Sequence, residues 1–176
     1  LVGSEMCIRD SQWGAETGLD VALYRPVARY ELIAKDVKAF LNKLATGGLK
    51  GESFTARVKY SDYLPTGYNL MDDVPKNSLM YMEYKVDFER PADGTEELKL
   101  GFDYVLVSAG ETASIPVELE ILNEKNEVLA RTVLRIPCER DKNTTVRGNF
   151  LTSDVNGGIG IDPGYDGDLE VDLGEL

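Results

Sequence analysis

Two glutamates two residues apart, Glu118 and Glu120, are the nearest thing in this chain to a catalytic pair. A glycosidase needs two carboxylates facing each other across a substrate cleft. Here they alternate with Val117, Leu119 and Ile121, so both are expected to point outward from one strand. Asp72-Asp73 and the set Asp162, Asp166 and Asp168 offer oxygens to a hard cation. The second set lacks the spacing and terminal glutamate of an EF-hand loop, and solvation is the expected role. Gly157-Gly158-Ile159-Gly160 is not followed by a helix or a lysine, as a phosphate-binding loop would be.

Histidine is absent from all 176 residues. That removes the commonest general base and zinc ligand and every histidine-containing triad. The two cysteines, Cys7 and Cys138, form no C-x-x-C pair. Cys138 follows Ile136-Pro137 at a strand end and is expected to be a buried free thiol; counting alone also permits a Cys7–Cys138 disulfide. No catalytic residue, metal site or cofactor is therefore expected, and the chain is read as a protein that is not an enzyme.

The net charge of −12 argues against nucleic acid, which demands clustered Lys and Arg, and against an anionic membrane surface. No window has the apolar length of a transmembrane helix. A well-solvated secreted or surface protein fits this balance.

The elements that carry these residues are mostly short strands. Val27–Ala34 alternates, with Ala28, Tyr30 and Leu32 on one face and Arg29 and Glu31 on the other. Glu52–Tyr60 alternates more cleanly still, with Phe54, Ala56, Val58 and Tyr60 inward. Leu79–Phe88 and Ser114–Leu122 follow the same rule. Leu98–Ser108 is apolar on both faces, which predicts a central strand. Leu19–Tyr24 and Ile159–Ile161 are weaker strand candidates. One short helix is expected, over about 36–46, with Asp36 as N-cap, an apolar stripe of Val37, Phe40, Leu41 and Leu44, and Gly47-Gly48 as the stop.

Ser61–Asn77 is rich in Tyr, Pro, Gly, Asn and Asp and reads as an ordered loop. Tyr63, Tyr68 and Met71 are expected to pack on the sheets; the alternative is that Tyr63 and Tyr68 stack on sugar rings. Glu127–Thr152 reads as a hairpin, with arms Glu127–Pro137 and Thr144–Thr152 and a polar bend at Glu139–Asn143. Many strands, one helix and no βαβ rhythm predict a mainly β fold, an antiparallel β-sandwich.

Three segments follow. Leu1–Ser11 (LVGSEMCIRDS) resembles adaptor read-through at the end of a translated shotgun assembly, and is expected to be foreign to the natural protein. Residues 12–164 form the sandwich domain, with or without part of a second. Residues 165–176 form an acidic C-terminal strand or tail, in which Leu169, Val171 and Leu173 alternate with acids. A lone strand of that kind must dock on a sheet, in its own chain or in another.

Four runs resemble the fimbrillin-like proteins of the Bacteroidetes: RPVARYELIA (Arg25–Ala34), YLPTGYN (Tyr63–Asn69), LGFDYVLVSAGE (Leu100–Glu111) and IPCERDKNTTVRGNFLT (Ile136–Thr152). In the last, Ile136-Pro137-Cys138-Glu139-Arg140 and Gly148-Asn149-Phe150-Leu151-Thr152 match in order and spacing, with Phe150 where the family commonly has Leu. The resemblance implies a transthyretin-like sandwich, export as a lipoprotein precursor to the outer membrane or cell surface, and a role in a fimbrium (pilus) or in adhesion. It implies other fimbrial subunits as partners, joined by strand addition, besides host or bacterial surface ligands. A signal peptide or lipobox would then stand upstream of the visible start. The family usually has two sandwich domains, and this chain holds little more than one. Leu169, Val171 and Leu173 are the candidate strand-exchange residues, with an ordinary edge strand as the bland alternative. The competing functional reading is a glycan-binding module of a polysaccharide-capture system, with Tyr63 and Tyr68 as its contacts.

Overall fold

The computed structural model describes residues 24–47, 49, 51–153 and, as backbone, 169–172. The expected segment 1–11, the strand candidate Leu19–Tyr24 apart from Tyr24, the strand at Ile159–Ile161, the acidic set Asp162, Asp166 and Asp168, and Leu173 lie outside the described residues.

Alternation of apolar and polar residues governs the first half of the fold. Strand β1 (Val27–Ala34) buries Ala28, Tyr30, Leu32 and Ala34. Helix α1 (Val37–Ala45) buries Val37, Phe40 and Leu41, with Leu44 partly buried, and Gly47 (φ 74°) follows its end. Strand β2 (Ser53–Tyr60) buries Phe54, Ala56, Val58 and Tyr60. Strands β3 (Leu64–Asn69) and β4 (Val74–Leu79) form a two-stranded ribbon; then come β5 (Glu83–Glu89), β6 (Leu98–Leu106), β7 (Thr112–Asn123), β8 (Val128–Glu139), β9 (Asn143–Gly148) and β10 (Leu169–Asp172).

Two four-stranded sheets, β10-β9-β1-β6 and β5-β2-β7-β8, face each other. Their inward residues form one cluster that includes Tyr30, Leu32, Phe54, Val58, Leu100, Leu119 and Ile136. The fold is a mainly β sandwich with one short helix among the described residues, as the alternation predicts. Among the described residues all pairings are antiparallel except β1 with β9, which run parallel. Phe40 of α1 meets Phe54 edge-on at 5.1 Å, and Phe54 stacks on Phe88 at 5.6 Å, so the helix covers one part of the core.

Glu127–Thr152 is not a hairpin. β8 belongs to one sheet and β9 to the other, and the bend at Arg140–Lys142 carries the chain between layers. Alternation shows that both arms are strands; it does not show their partners. Here β1 supplies the ladder for β9, beginning where the Arg29 N–H donates to the Lys142 carbonyl at 3.0 Å. The second arm also stops at Gly148, and Asn149–Thr152 leaves the sheet.

Ser61–Asn77 is not an irregular loop, because most of it is the β3–β4 ribbon. Its turn holds Asp73 at positive φ (54°), which aspartate tolerates better than bulkier residues. Tyr63 and Met71 are 61% and 91% exposed, so neither packs on the sandwich. Leu79 belongs to β4, and the expected Leu79–Phe88 strand begins only at Glu83.

β6 is an edge strand and not a central one. A register shift at Leu32/Ile33, opposite Gly101, exchanges its two faces. Leu100, the residue without a partner in the ladder, lies inward; after it Val105 and Val107 do so, while Phe102 and Tyr104 turn out to solvent. One extra residue in the ladder makes both faces read as apolar.

Candidate functional site

Glu118 and Glu120 lie on the outer face of the β5-β2-β7-β8 sheet. Register places Arg57 and Arg131 on either side of Glu120, and Lys59 beside Glu118. Glu120 is fully buried under these cations. Its Oε2 accepts from Arg57 Nε at 2.8 Å and pairs with Lys59 Nζ at 2.8 Å, while Oε1 accepts from Arg131 Nη2 at 2.6 Å. Burial opposes ionisation, yet the hydrogen bonds from Lys59, Arg131 and Arg57 hold its pKa down at about 2. A general acid must keep its proton near neutral pH, and this group cannot. The pair locks three strands together.

Among the described residues, no group of three His, Cys, Asp or Glu side chains is placed to hold a metal ion. Asp73 instead accepts from Arg140 through both oxygens, at 2.9 and 2.7 Å, and Asp72 is hydrogen-bonded to Asn69. Cys138 is a free, buried thiol whose pKa burial pushes up to about 12, so it is a poor nucleophile.

Tyr68 is held by its own chain. Its hydroxyl donates to Asp73 at 2.9 Å, and Arg140 lies over its ring at 6.0 Å and over the Tyr24 ring at 5.5 Å. Arg140 also donates to the Arg25 carbonyl at 2.8 Å, so the β8–β9 bend clamps both the ribbon and the entry to β1. Tyr63 stands just before β3 and is 61% exposed, whereas Tyr68 lies within β3 and is half-buried.

A second network, missed in the sequence, joins the two sheets from within. Tyr60 donates its one proton to Asp103 Oδ2 at 2.6 Å, so Tyr30 donates to Tyr60 across 2.7 Å, and the Tyr84 hydroxyl lies 3.4 Å from that of Tyr30. Each tyrosine sits at an ordinary inward position, so only the tertiary pairing reveals the cluster.

The sheet edges differ. Just past the end of β6 the Val107 N–H donates to the Pro26 carbonyl of the β1 approach, so by alternation the Tyr104 N–H points away from β1. Asp103 Oδ1 accepts that N–H at 2.7 Å, which blunts the edge against a new strand. At the other edge β10 covers β9, with Leu169 opposite Val146, Glu170 opposite Thr145, Val171 opposite Thr144 and Asp172 opposite Asn143. Of the candidate exchange residues, Leu169 and Val171 are thus in a strand, while Leu173 lies outside the described residues.

A family model described as "Family of unknown function (DUF6562)" matches residues 3–174. The chain belongs to this family. The DUF6562 chain is similar in structure to a candidate cell adhesion protein from Bacteroides ovatus, with a TM-score of 0.37 and 14% identity over 69% of the chain. It spans 39% of the length of that protein. No curated protein matches the DUF6562 chain. None of its helices, among the described residues, is long and apolar enough to cross a membrane.

Proposed function

We propose that this protein is a non-catalytic subunit of a cell-surface assembly, of the fimbrium or adhesin kind, and that it joins its neighbours by exchange of β-strands. The observation that carries this reading is the pairing of β10 on β9. A four-residue strand, separated by 20 residues from the end of β9 at Gly148, closes one edge of a sheet through backbone hydrogen bonds. Strand addition uses that same ladder, with backbone bonds for affinity and alternate side chains for selectivity. An edge filled within the chain is chemically equivalent to one filled by the matching strand of a neighbour. The blunted β6 edge leaves β9 as the better acceptor in that sheet. The sequence resemblance to fimbrillin-like proteins, strongest in Ile136–Thr152, supports the same reading, as does a buried chemistry in which the carboxylates and the thiol are spent on structure. On this reading the protein is exported and sits at the cell surface or outer membrane.

Deletion of Gly167–Leu176, followed by light scattering over a concentration series, tests the proposal. The intact chain should form concentration-dependent, heat-resistant oligomers. The truncated chain should not, and it should bind a synthetic Gly167–Leu176 peptide in trans. Identical oligomerisation of the two chains would dismiss strand exchange through β10.

A further inference from the structure

The turn between β4 and β5 holds an aromatic residue that the fold has no use for. Tyr81 has φ of 60° and is 87% exposed. Left-handed backbone strains an ordinary residue and costs glycine almost nothing. Asp73, Asn77, Asn126 and Asp141, the other described non-glycine residues at positive φ, are all Asn or Asp, which tolerate it. Tyrosine does not, and an 87% exposed ring recovers little of that cost by burial.

Beside the turn lies a cleft of about 280 Å³, lined by Lys59, Ser61, Met80, Tyr81, Glu83 and Glu118 among others. Its charges are matched in place: Lys59 pairs with Glu118 at 3.3 Å and with Glu120 at 2.8 Å, and Glu83 with Lys85 at 3.4 Å. A cleft with paired charges does not select an ion. It presents fixed donors and acceptors beside an aromatic plate, which suits a ligand with an apolar face and a rim of hydroxyls. The volume suits a sugar ring at one end of a longer chain.

We infer that this cleft binds a neutral saccharide, with Tyr81 stacked on the face of one pyranose ring and Glu118, Lys59 and Ser61 meeting its hydroxyls. The site is on the sheet opposite to β10 and does not depend on strand exchange. It is also separate from Tyr63 and Tyr68.

The test uses the full chain and titrates it calorimetrically with maltohexaose, laminarihexaose, xylohexaose and mannohexaose, with hexagalacturonate as the acidic comparison. At least one neutral hexasaccharide should bind with a Kd below about 1 mM. Tyr81→Ala and Glu118→Gln should each weaken that binding about tenfold or more. Tyr81→Gly should abolish the binding while leaving Tm at or above that of the parent chain, because glycine relieves the backbone. Failure of all four neutral sugars, tighter binding of hexagalacturonate, or undiminished binding by Tyr81→Ala would overturn the inference. So would a clear fall in Tm for Tyr81→Gly, since the ring would then serve the fold.

Discussion

Asp36 Oδ2 accepts the backbone N–H of Thr152 at 2.8 Å and its hydroxyl at 2.7 Å, and the same carboxylate accepts the Leu151 N–H at 3.0 Å. Asp36 therefore does not cap α1, although it stands at the N-cap position. It satisfies donors in the segment that leaves β9, and so ties the helix to the end of the Gly148–Thr152 run. Charge-assisted bonds to buried N–H groups are the stronger kind. Asp36→Ala strands the buried Leu151 N–H and should cost about 2–4 kcal/mol. Urea unfolding followed by circular dichroism measures it. A loss below about 1 kcal/mol would mean that packing of Phe150 and Leu151 alone holds this corner.

Gly148 and Phe150 form the other half of that corner. A Cβ on Gly148 would lie 2.7 Å from Phe150 Cε1 and 2.8 Å from its Cζ. Phe150 is 1% exposed and has little room to move. Gly148→Ala should therefore cost about 1–3 kcal/mol by overpacking. The cost should shrink in a Phe150→Leu background, because the smaller side chain lacks the clashing ring atoms. A double-mutant cycle in urea checks this, and simple additivity would rule out the contact as the cause.

The two halves of the chain were not equally legible. β1, α1 and β2 fall close to where alternation and the helical stripe put them, because each buries one continuous face. Asp36 illustrates the limit: its type and position fit a cap, but its partners are more than 100 residues away. Glu120 has the pattern of an outward residue and is nonetheless buried, because Arg57 and Arg131 come from strands that sequence alone cannot align. The β8–β9 pair reads as a hairpin because alternation reports a face and is silent on which sheet receives it. β6 reads as a central strand for a different reason, since a single bulged residue inverts the parity of everything after it. As for the candidate sites, Leu169 and Val171 were recognisable as strand residues, whereas the strain at Tyr81 has no sequence signature beyond an unremarkable Met-Tyr-Met.

Glu120 should set the acid limit of stability. Its pKa is about 2 in the folded chain, against an ordinary value of 4.5. The unfolded chain therefore takes up a proton first as pH falls. The stabilisation is complete above about pH 4.5 and is lost as pH drops toward 2, and it amounts to roughly 3 kcal/mol. Glu120→Gln should remove most of it at pH 7 and flatten the dependence of stability on pH between about 5 and 2. Urea midpoints at a series of pH values measure both effects. An unchanged acid slope in the variant would assign acid sensitivity to other carboxylates.

Tyr30, Tyr60 and Tyr84 should set the alkaline limit. Burial is the main cause that raises all three: Tyr30 and Tyr60 lie far above the ordinary 10.0, and Tyr84 is pushed up to about 12. Asp103 adds to the effect on Tyr60, because the hydroxyl that donates to this carboxylate cannot ionise without placing two negative charges 2.6 Å apart. The folded chain thus keeps protons that the unfolded chain releases above pH 10. Stability from this cluster is whole below that value and falls as pH rises beyond it. Ultraviolet titration of tyrosinate should show Tyr30 and Tyr60 ionising only together with the loss of folded structure, in one cooperative step. Tyr60→Phe should lower stability at neutral pH by about 1–2 kcal/mol through the lost bonds to Tyr30 and Asp103. It should also weaken the alkaline dependence. Gradual ionisation of every tyrosine near pH 10, with the fold intact, would show that the network is open to water.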